Sequence, residues 1–389
     1  MSTTMSKVHT QGTHRVRAPE ETWEIIAPLL QDYGITRVSD ITGLDVLGIP
    51  VAMAARPCSW TLSVSQGKGQ TLLLAKVSAT MEAIEFWHAE RARPALSHVA
   101  ASARELGVGY RIRDLEMASN PFLGDDSRLD WVEAVGAVTG QRVPVPVDAV
   151  CFRDPSTQRW SPWEGVTSSN GLASGNCLEE AALHGLYEII ERDALSRPTI
   201  AELAAAPVLD PMSLPEETCA RMVDQIVSSG GQVSIAAMPS RFGVPTFKCL
   251  VWSWDFPVVC GGSGSHGDPV VALSRAVTEA AQGRAAAIAG SRDDLDLWSA
   301  YEHAHQRAQI RGQFPRPNAD FNDAVTPTMV AEDVSVELMA VARNVLSITG
   351  QEPLLVDLST DPRFAVVRVV APGCAMRSER VHSRTRVAG

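Results

Sequence analysis

Two helix-like stretches of this chain each carry a pair of glutamates spaced i, i+3, and that pattern limits how the chain can fold. The first, SATMEAIEFWHAER, holds Glu82 and Glu85. The second, SNGLASGNCLEEAALHGLYEIIERD, holds Glu188 and Glu191, with Glu180 two turns earlier. Residues three apart share a helix face, and Glu180, Glu188 and Glu191 fall within a sector of about 80°. Leu183, Leu186, Ile189 and Ile190 point to the other side. Such a helix must bury its aliphatic side against a core and find a use for its carboxylates. One use is to hold hard cations such as Mg2+, which take oxygen ligands and often bring a phosphate with them. Another is a solvated face with salt bridges to Arg91 or Arg192. Spacing alone leaves both open.

Other residues accompany the glutamates in a fixed order. Ser65-Gln66-Gly67-Lys68-Gly69 precedes the first pair, and the stretch from Ser169 to Asn176 precedes the second group. A third block, ALSRAVTEAAQGR, carries Arg275, Glu279, Gln282 and Arg284. Together the three blocks resemble the YcaO family of ATP-dependent peptide-modifying enzymes, from roughly Thr61 to the stretch around Pro372. The resemblance implies one large domain of mixed sheets and helices over 61–375, with ATP bound between them. It implies Mg2+ ligands at Glu82, Glu85, Glu188 and Glu191, joined by Glu279. Lys68, Ser78, Arg192 and Arg275 would contact phosphates. Asn176 and Glu180 would lie at the nucleotide, with Gln282 and Arg284 nearby. Members often carry Arg directly after the second glutamate of the first block, and here that residue is Phe86, so Arg91 becomes the candidate replacement.

The chemistry explains the residue types. An amide oxygen is a poor leaving group, but phosphorylation by the γ-phosphate of ATP makes it a good one. Phosphoryl transfer asks the protein for charge neutralisation and in-line positioning. Carboxylate-held Mg2+ supplies charge at the phosphate oxygens, and Lys68, Arg192 and Arg275 are fixed donors that can add to it. Among the histidines, His266 precedes the third block and is the acid/base candidate; His88 and His184 read as structural. Within the family, the nucleophile sets the product. A Cys, Ser or Thr side chain gives an azoline, an N-terminal amine a macrocyclic amidine, and external sulfide a thioamide, usually with a TfuA partner. The sequence favours azoline or amidine formation on a ribosomally made precursor peptide. Thioamidation with a TfuA-like partner is the first alternative, and a non-catalytic nucleotide-binding scaffold the second. No proline-rich C-terminal tail, fused activating domain or leader-binding module is evident, so the chain reads as stand-alone or served by a separate partner. A homodimer is left open.

Two motifs are set aside. Gly262-Ser263-Gly264-Ser265-His266-Gly267 satisfies GxGxxG, but the acid that a dinucleotide site needs about 20 residues on is missing. The glycines read instead as a turn that lets backbone approach something closely. Gly67-Lys68-Gly69 lacks the upstream Gly of a phosphate-binding loop, position 62 being Leu, and reads as a flexible turn presenting Lys68 to a phosphate.

The remaining composition bounds the class. A hydrophobic share of 45% in 389 residues suffices for a substantial core. A net charge of −11 gives no electrostatic footprint for nucleic acid. The seven cysteines form no CxxC pair, which argues against structural zinc and for reduced thiols. With neither a signal peptide nor an apolar run long enough for a membrane span, the expected location is cytoplasmic.

Along the chain, residues 1–17 are polar and are expected to be disordered. Residues 18–60 are expected as a helix and strand extension and 376–389 as a flexible tail. Helices are predicted from Pro19 to about Tyr33, with Pro28 as a kink, and at Leu72–Ala92, 197–230 with proline breaks, Asp268–Ala289 and Val334–Ser347, besides the helix of the second glutamate group. Strands are predicted at Ile35–Val38, Val51–Ala54, Thr61–Ser65, Trp131–Ala137, Val147–Phe152, Val233–Met238, Lys248–Trp254, Pro353–Asp357 and Ala365–Val370, with a loop over 300–325. The alternation shows no obvious repeat and reads as α/β or α+β.

Overall fold

The computed structural model describes residues 5–115, 122–154, 168–215, 219–291, 314–325, 328 and 330–376. Its strands are β1 (Arg37–Asp40), β2 (Val51–Ala55), β3 (Val64–Lys68), β4 (Leu96–Ala101), β5 (Leu129–Gly136), β6 (Arg142–Pro146), β7 (Leu172–Gly175), β8 (Gln232–Ala237), β9 (Thr246–Trp252), β10 (Cys260–Ser265), β11 (Leu354–Asp357) and β12 (Ala365–Val370). They form three sheets, ordered β1-β2-β3, β10-β9-β8 and β4-β5-β11-β12-β7, with β6 on the other side of β5. Every named strand pair is antiparallel, so of the two expected classes the fold is α+β.

The helices are α1 (Pro19–Ile26), α2 (Leu72–Arg91), α3 (Ala103–Leu106), α4 (Val147–Val150), α5 (Leu178–Ser196), α6 (Ile200–Ala204), α7 (Arg221–Ser228), α8 (Pro269–Ile288), α9 (Phe321–Ala324) and α10 (Val334–Thr349). Local chemistry sets their starts. Thr71 accepts the Leu74 amide at the head of α2. Asp268 accepts the Val270 amide ahead of Pro269, and Asp333 caps α10 through the Ser335 and Val336 amides. Each cap satisfies backbone donors that the first turn leaves unpaired. Pro28 ends α1 rather than kinking it, because the chain passes into a 3-10 turn at Ala27–Leu29.

Three strand–helix units build the interior: β3 with α2, β7 with α5, and β10 with α8. In each, a glycine of the strand lets the helix backbone come close. A Cβ at Gly67 would lie 2.1 Å from Ala75 O and Ala79 N. At Gly175 it would lie 2.5 Å from Ala181 N, and at Gly264 2.2 Å from Ala272 O. The helices also match in register. Counted from Leu72, Leu178 and Pro269, the pairs Glu82/Glu85, Glu188/Glu191 and Glu279/Gln282 each fall ten and thirteen residues on. The repeat that the sequence conceals is therefore one of strand–helix units, with glutamine closing the third pair.

Several expectations need correction. The glycine-rich 262–265 is strand β10, not a turn, although its glycines do serve close backbone approach. Lys68 ends a paired strand, opposite Val51, rather than riding a flexible turn. Of the stretch expected as a strand, Val147–Phe152, residues Val147–Val150 form helix α4. The strand is the preceding Arg142–Pro146, whose two prolines suit an edge position beside β5. Residues 5–17 are held rather than disordered. The Met5 amide donates to Asp333, and Lys7 forms a buried ion pair with Glu337. Residues 18–60, set apart as an extension, supply two strands to the sheet of β3, and Ile26, Tyr33 and Ile35 join the core around α2. Most of the loop expected over 300–325, and the tail from 377 on, lie outside the described residues.

Candidate nucleotide and metal site

The three units turn their glutamates toward one cavity of about 520 Å³. Glu82, Glu85, Glu188, Glu191 and Glu279 all line it, and so do Lys68, Arg192 and Arg275. Ser78, Asn176, Glu180 and Gln282 complete the set of predicted residues that reach it. Two predicted residues do not line it. Arg284 is wholly buried and spent on structure, donating to Asp45 at 3.0 Å, to Asp255 at 2.9 Å and to Phe256 O at 3.2 Å. It faces away because Gln282 takes the inward position of the helix turn. His266 sits behind β10, where its Nδ1 accepts the Asp268 amide and its ring meets His14 and Tyr187 at 4.7 Å. Burial pushes its pKa well below the usual range, and its place outside the cavity lining separates it from the acid/base role expected of it. Arg91 does not replace the missing arginine either, since its guanidinium lies 4.5 Å over the Trp60 ring. Phe86 fills its own position as a buried wall beside Phe152.

A ring of contacts orients the glutamates, each link crossing from one unit to another. Ser174 of β7 donates to Glu85 of α2 at 2.5 Å. Ser263 of β10 donates to Glu191 of α5 at 2.6 Å. Lys68 of β3 pairs with Glu279 of α8 and closes the ring. The Gln66 amide adds a bond to Glu82 at 2.7 Å. Nothing in the sequence alone assigns a role to Ser174 or Ser263. Their signal was a serine beside a strand glycine, legible only once the strands were known.

The electrostatics are those of crowded carboxylates. Burial first, then the neighbouring charges of Glu82 and Glu188, push Glu85 up to about 8 against the bond from Ser174. Burial likewise raises Glu188 to about 7, with Arg192 opposing and Glu191 adding to the rise. Burial also disfavours the charge on Glu279, but Lys68, Arg192 and Arg275 outweigh it and hold that carboxyl below its ordinary range. Arg192 lies 3.7 Å from Glu188 and 3.6 Å from Glu191. Lysine and arginine thus stand where a divalent cation would neutralise the cluster.

The residues fit Mg2+ and a nucleotide phosphate. The donors are all oxygen, as a hard cation requires, and burial raises two of the acids, Glu85 and Glu188, so a cation beside them would favour their charged forms. Among the described residues no three His, Cys, Asp or Glu side chains stand close enough together to hold a metal ion. All seven cysteines are free thiols. No helix among the described residues is long and apolar enough to cross a membrane.

Comparison with known proteins agrees with this geometry. A family model described as YcaO cyclodehydratase, ATP- and Mg2+-binding, matches residues 66–375. An uncharacterised protein of Mycobacterium tuberculosis is 38% identical over 374 residues, covering 95% of this chain and 84% of the relative. An uncharacterised protein from the 3' region of tfuA in Rhizobium leguminosarum bv. trifolii is 36% identical over 391 residues, covering 92% and 88%. The fold is like that of YcaO from Methanopyrus kandleri, solved with AMPPCP and Mg2+, at a TM-score of 0.74 and 24% identity over 95% of this chain and 94% of that one.

Proposed function

The chain belongs to the YcaO family and takes ATP and Mg2+ as its cofactors, and on that premise we propose that it activates a backbone amide of a ribosomally made peptide by phosphorylating the amide oxygen. The observation that carries this reading is the two-sided cavity, with five glutamates from three helices facing Lys68, Arg192 and Arg275. Glu82, Glu85, Glu188, Glu191 and Glu279 would hold the metal; Lys68, Ser78, Arg192 and Arg275 would hold phosphate oxygens. ATP supplies the γ-phosphoryl group, and Mg2+ neutralises charge on its oxygens. The chain's own part is to fix positions and charge. Ser174, Ser263 and Lys68 aim the glutamates, and Phe86, packed on Phe152, forms an apolar part of the cavity wall. A nucleotide-binding scaffold would have no use for so many cation ligands.

Azoline or amidine formation needs only an internal nucleophile from the peptide. Thioamide formation is a second reading with an observation in its favour: the relative at 36% identity lies beside tfuA. That reading adds a TfuA-like partner and a sulfide source.

The test labels the substrate carbonyl with heavy oxygen and weighs the released phosphate. Labelled phosphate with ADP is expected. Labelled AMP with pyrophosphate would replace γ-transfer by adenylation. Unlabelled phosphate with an unchanged peptide would leave the scaffold reading. Supplying sulfide and a TfuA-like protein, then looking for oxygen replaced by sulfur, separates the two product classes.

A further inference from the structure

The seams between the three strand–helix units differ in chemistry. The residue before each close-packed glycine, Gly67, Gly175 and Gly264, is Gln66 on β3, Ser174 on β7 and Ser263 on β10. The matching helix position, thirteen residues on from each helix start, is Gln282 on α8, Glu85 on α2 and Glu191 on α5. Two seams therefore run from serine to carboxylate, at 2.5 Å and 2.6 Å. The third, between β3 and α8, has a carboxamide on each side. Gln66 and Lys68 lie on one face of β3, being two apart. Glu279 and Gln282 share a face of α8, being three apart. The Lys68–Glu279 pair sets those two faces toward each other, and both glutamines line the cavity.

The carboxamide of Gln66 is uncommitted. The residue is 5% exposed, and its Nε2 is buried without an acceptor among the described residues. Its backbone amide holds Glu82 at 2.7 Å, so the strand is fixed while the carboxamide is not. A half-turn about the last side-chain bond exchanges Nε2 with Oε1 and brings the donor to the cavity. This donor is neutral, unlike Lys68, Arg192 and Arg275 of the same cavity, and that sets its ligand. Charged donors suit phosphate, which is ionised from the start. A neutral N–H suits a carbonyl oxygen whose charge develops only during reaction, because the bond strengthens as that charge grows.

We propose that Gln66 is a catalytic residue that donates a hydrogen bond to the carbonyl oxygen of the peptide bond under attack. The nucleophile bonds to the carbonyl carbon, the C=O π pair moves to the oxygen, and the nucleophile's proton leaves to solvent. Gln66 keeps its own proton throughout and stabilises the oxyanion. Its place beside the Lys68–Glu279 pair sets that oxygen next to a phosphate contact. The proposal rests on the reading of the cavity as the site of amide phosphorylation.

The test uses the full chain as wild type, Gln66→Ala and Gln66→Glu. Calorimetry first measures AMPPCP with Mg2+, whose affinity also reports that each variant is folded. It then titrates the loaded protein with a phosphinate isostere of N-acetylglycine methylamide, in which an anionic tetrahedral phosphorus stands for the carbonyl carbon under attack. Gln66→Ala should weaken the phosphinate by about tenfold or more, and Gln66→Glu should weaken it further by repulsion, while AMPPCP binds both as it binds wild type. Wild-type phosphinate affinity in either variant overturns the assignment. Equal loss of AMPPCP and phosphinate also overturns it, because Gln66 would then touch the nucleotide or only shape the wall. A wild type that binds AMPPCP but not the phosphinate sinks the Gln66 assignment and leaves the nucleotide site intact. A wild type that does not bind AMPPCP sinks the proposed function, and Gln66 is then judged on the phosphinate alone.

Discussion

Replacing two adjacent glycines of β10 by alanine should have opposite effects on stability. At Gly262 an added Cβ would stand 2.2 Å from Ala280 N and 2.3 Å from Ala276 O, whereas ordinary contacts begin at 3.4 Å. Both neighbours are backbone atoms of α8, so no rotamer change relieves the overlap, and the helix must move by about 1 Å, the scale at which overpacking costs about 1–3 kcal/mol. The move is opposed by Ala272, Leu273, Ala276 and Val277, all buried on α8. At Gly261 the nearest atom outside the chain neighbours is Leu250 Cδ2, at 3.4 Å. Alanine there fits, and it gains about 0.4–1 kcal/mol by restricting the unfolded chain. The two variants should therefore differ by roughly 1.4–4 kcal/mol. Urea titration of both, followed by far-UV circular dichroism, measures the difference. Gly262→Ala should also raise the ATP concentration needed for half-maximal turnover, since α8 carries Arg275 and Glu279. Equal urea midpoints for the two variants would refute the close strand–helix contact as the reason for the glycines.

Three further outcomes are expected. Glu82→Ala, Glu188→Ala and Glu279→Ala should each abolish ATP turnover while keeping a cooperative unfolding transition; near-normal turnover in all three would overturn the metal assignment. Arg284→Met should cost roughly 3–5 kcal/mol, because it leaves Asp45 buried without its partner. Any folded fraction of that variant should bind ATP normally, and a selective loss of ATP affinity would restore Arg284 to the site. Mg2+ with ATP at a hundred times the dissociation constant should stabilise the chain by about 2.7 kcal/mol, read as a higher melting temperature than with ATP and a chelator. Identical melting curves would mean that the glutamates hold no ion.

The long periodic elements were legible because hydrophobic spacing and capping residues agree. The helix predicted at Leu72–Ala92 runs Leu72–Arg91, and the strand at Ala365–Val370 falls where expected. The glutamate pairs were legible too, because their i, i+3 spacing sets both members of a pair on one helix face. What stayed hidden depends on tertiary context. Cys260–Ser265 has the composition of a turn and becomes a strand because α8 needs a surface without side chains. Arg284 carries the same charge as Arg275, and only the facing of one helix separates a structural cation from one in the cavity. The hairpin at residues 5–17 gave no signal, because its order comes from Asp333, Glu337 and Glu180, residues far along the chain.

The ring formed by Ser174–Glu85, Ser263–Glu191 and Lys68–Glu279 makes the site insensitive to chain direction but intolerant of missing parts. Its links join residues 89, 72 and 211 positions apart. A fragment holding any two units keeps one link and loses the other two, so its glutamates have lost their alignment even where the helices survive. Proteolytic nicking or truncation that removes a unit should thus end function in a single step, with no partly working enzyme left behind.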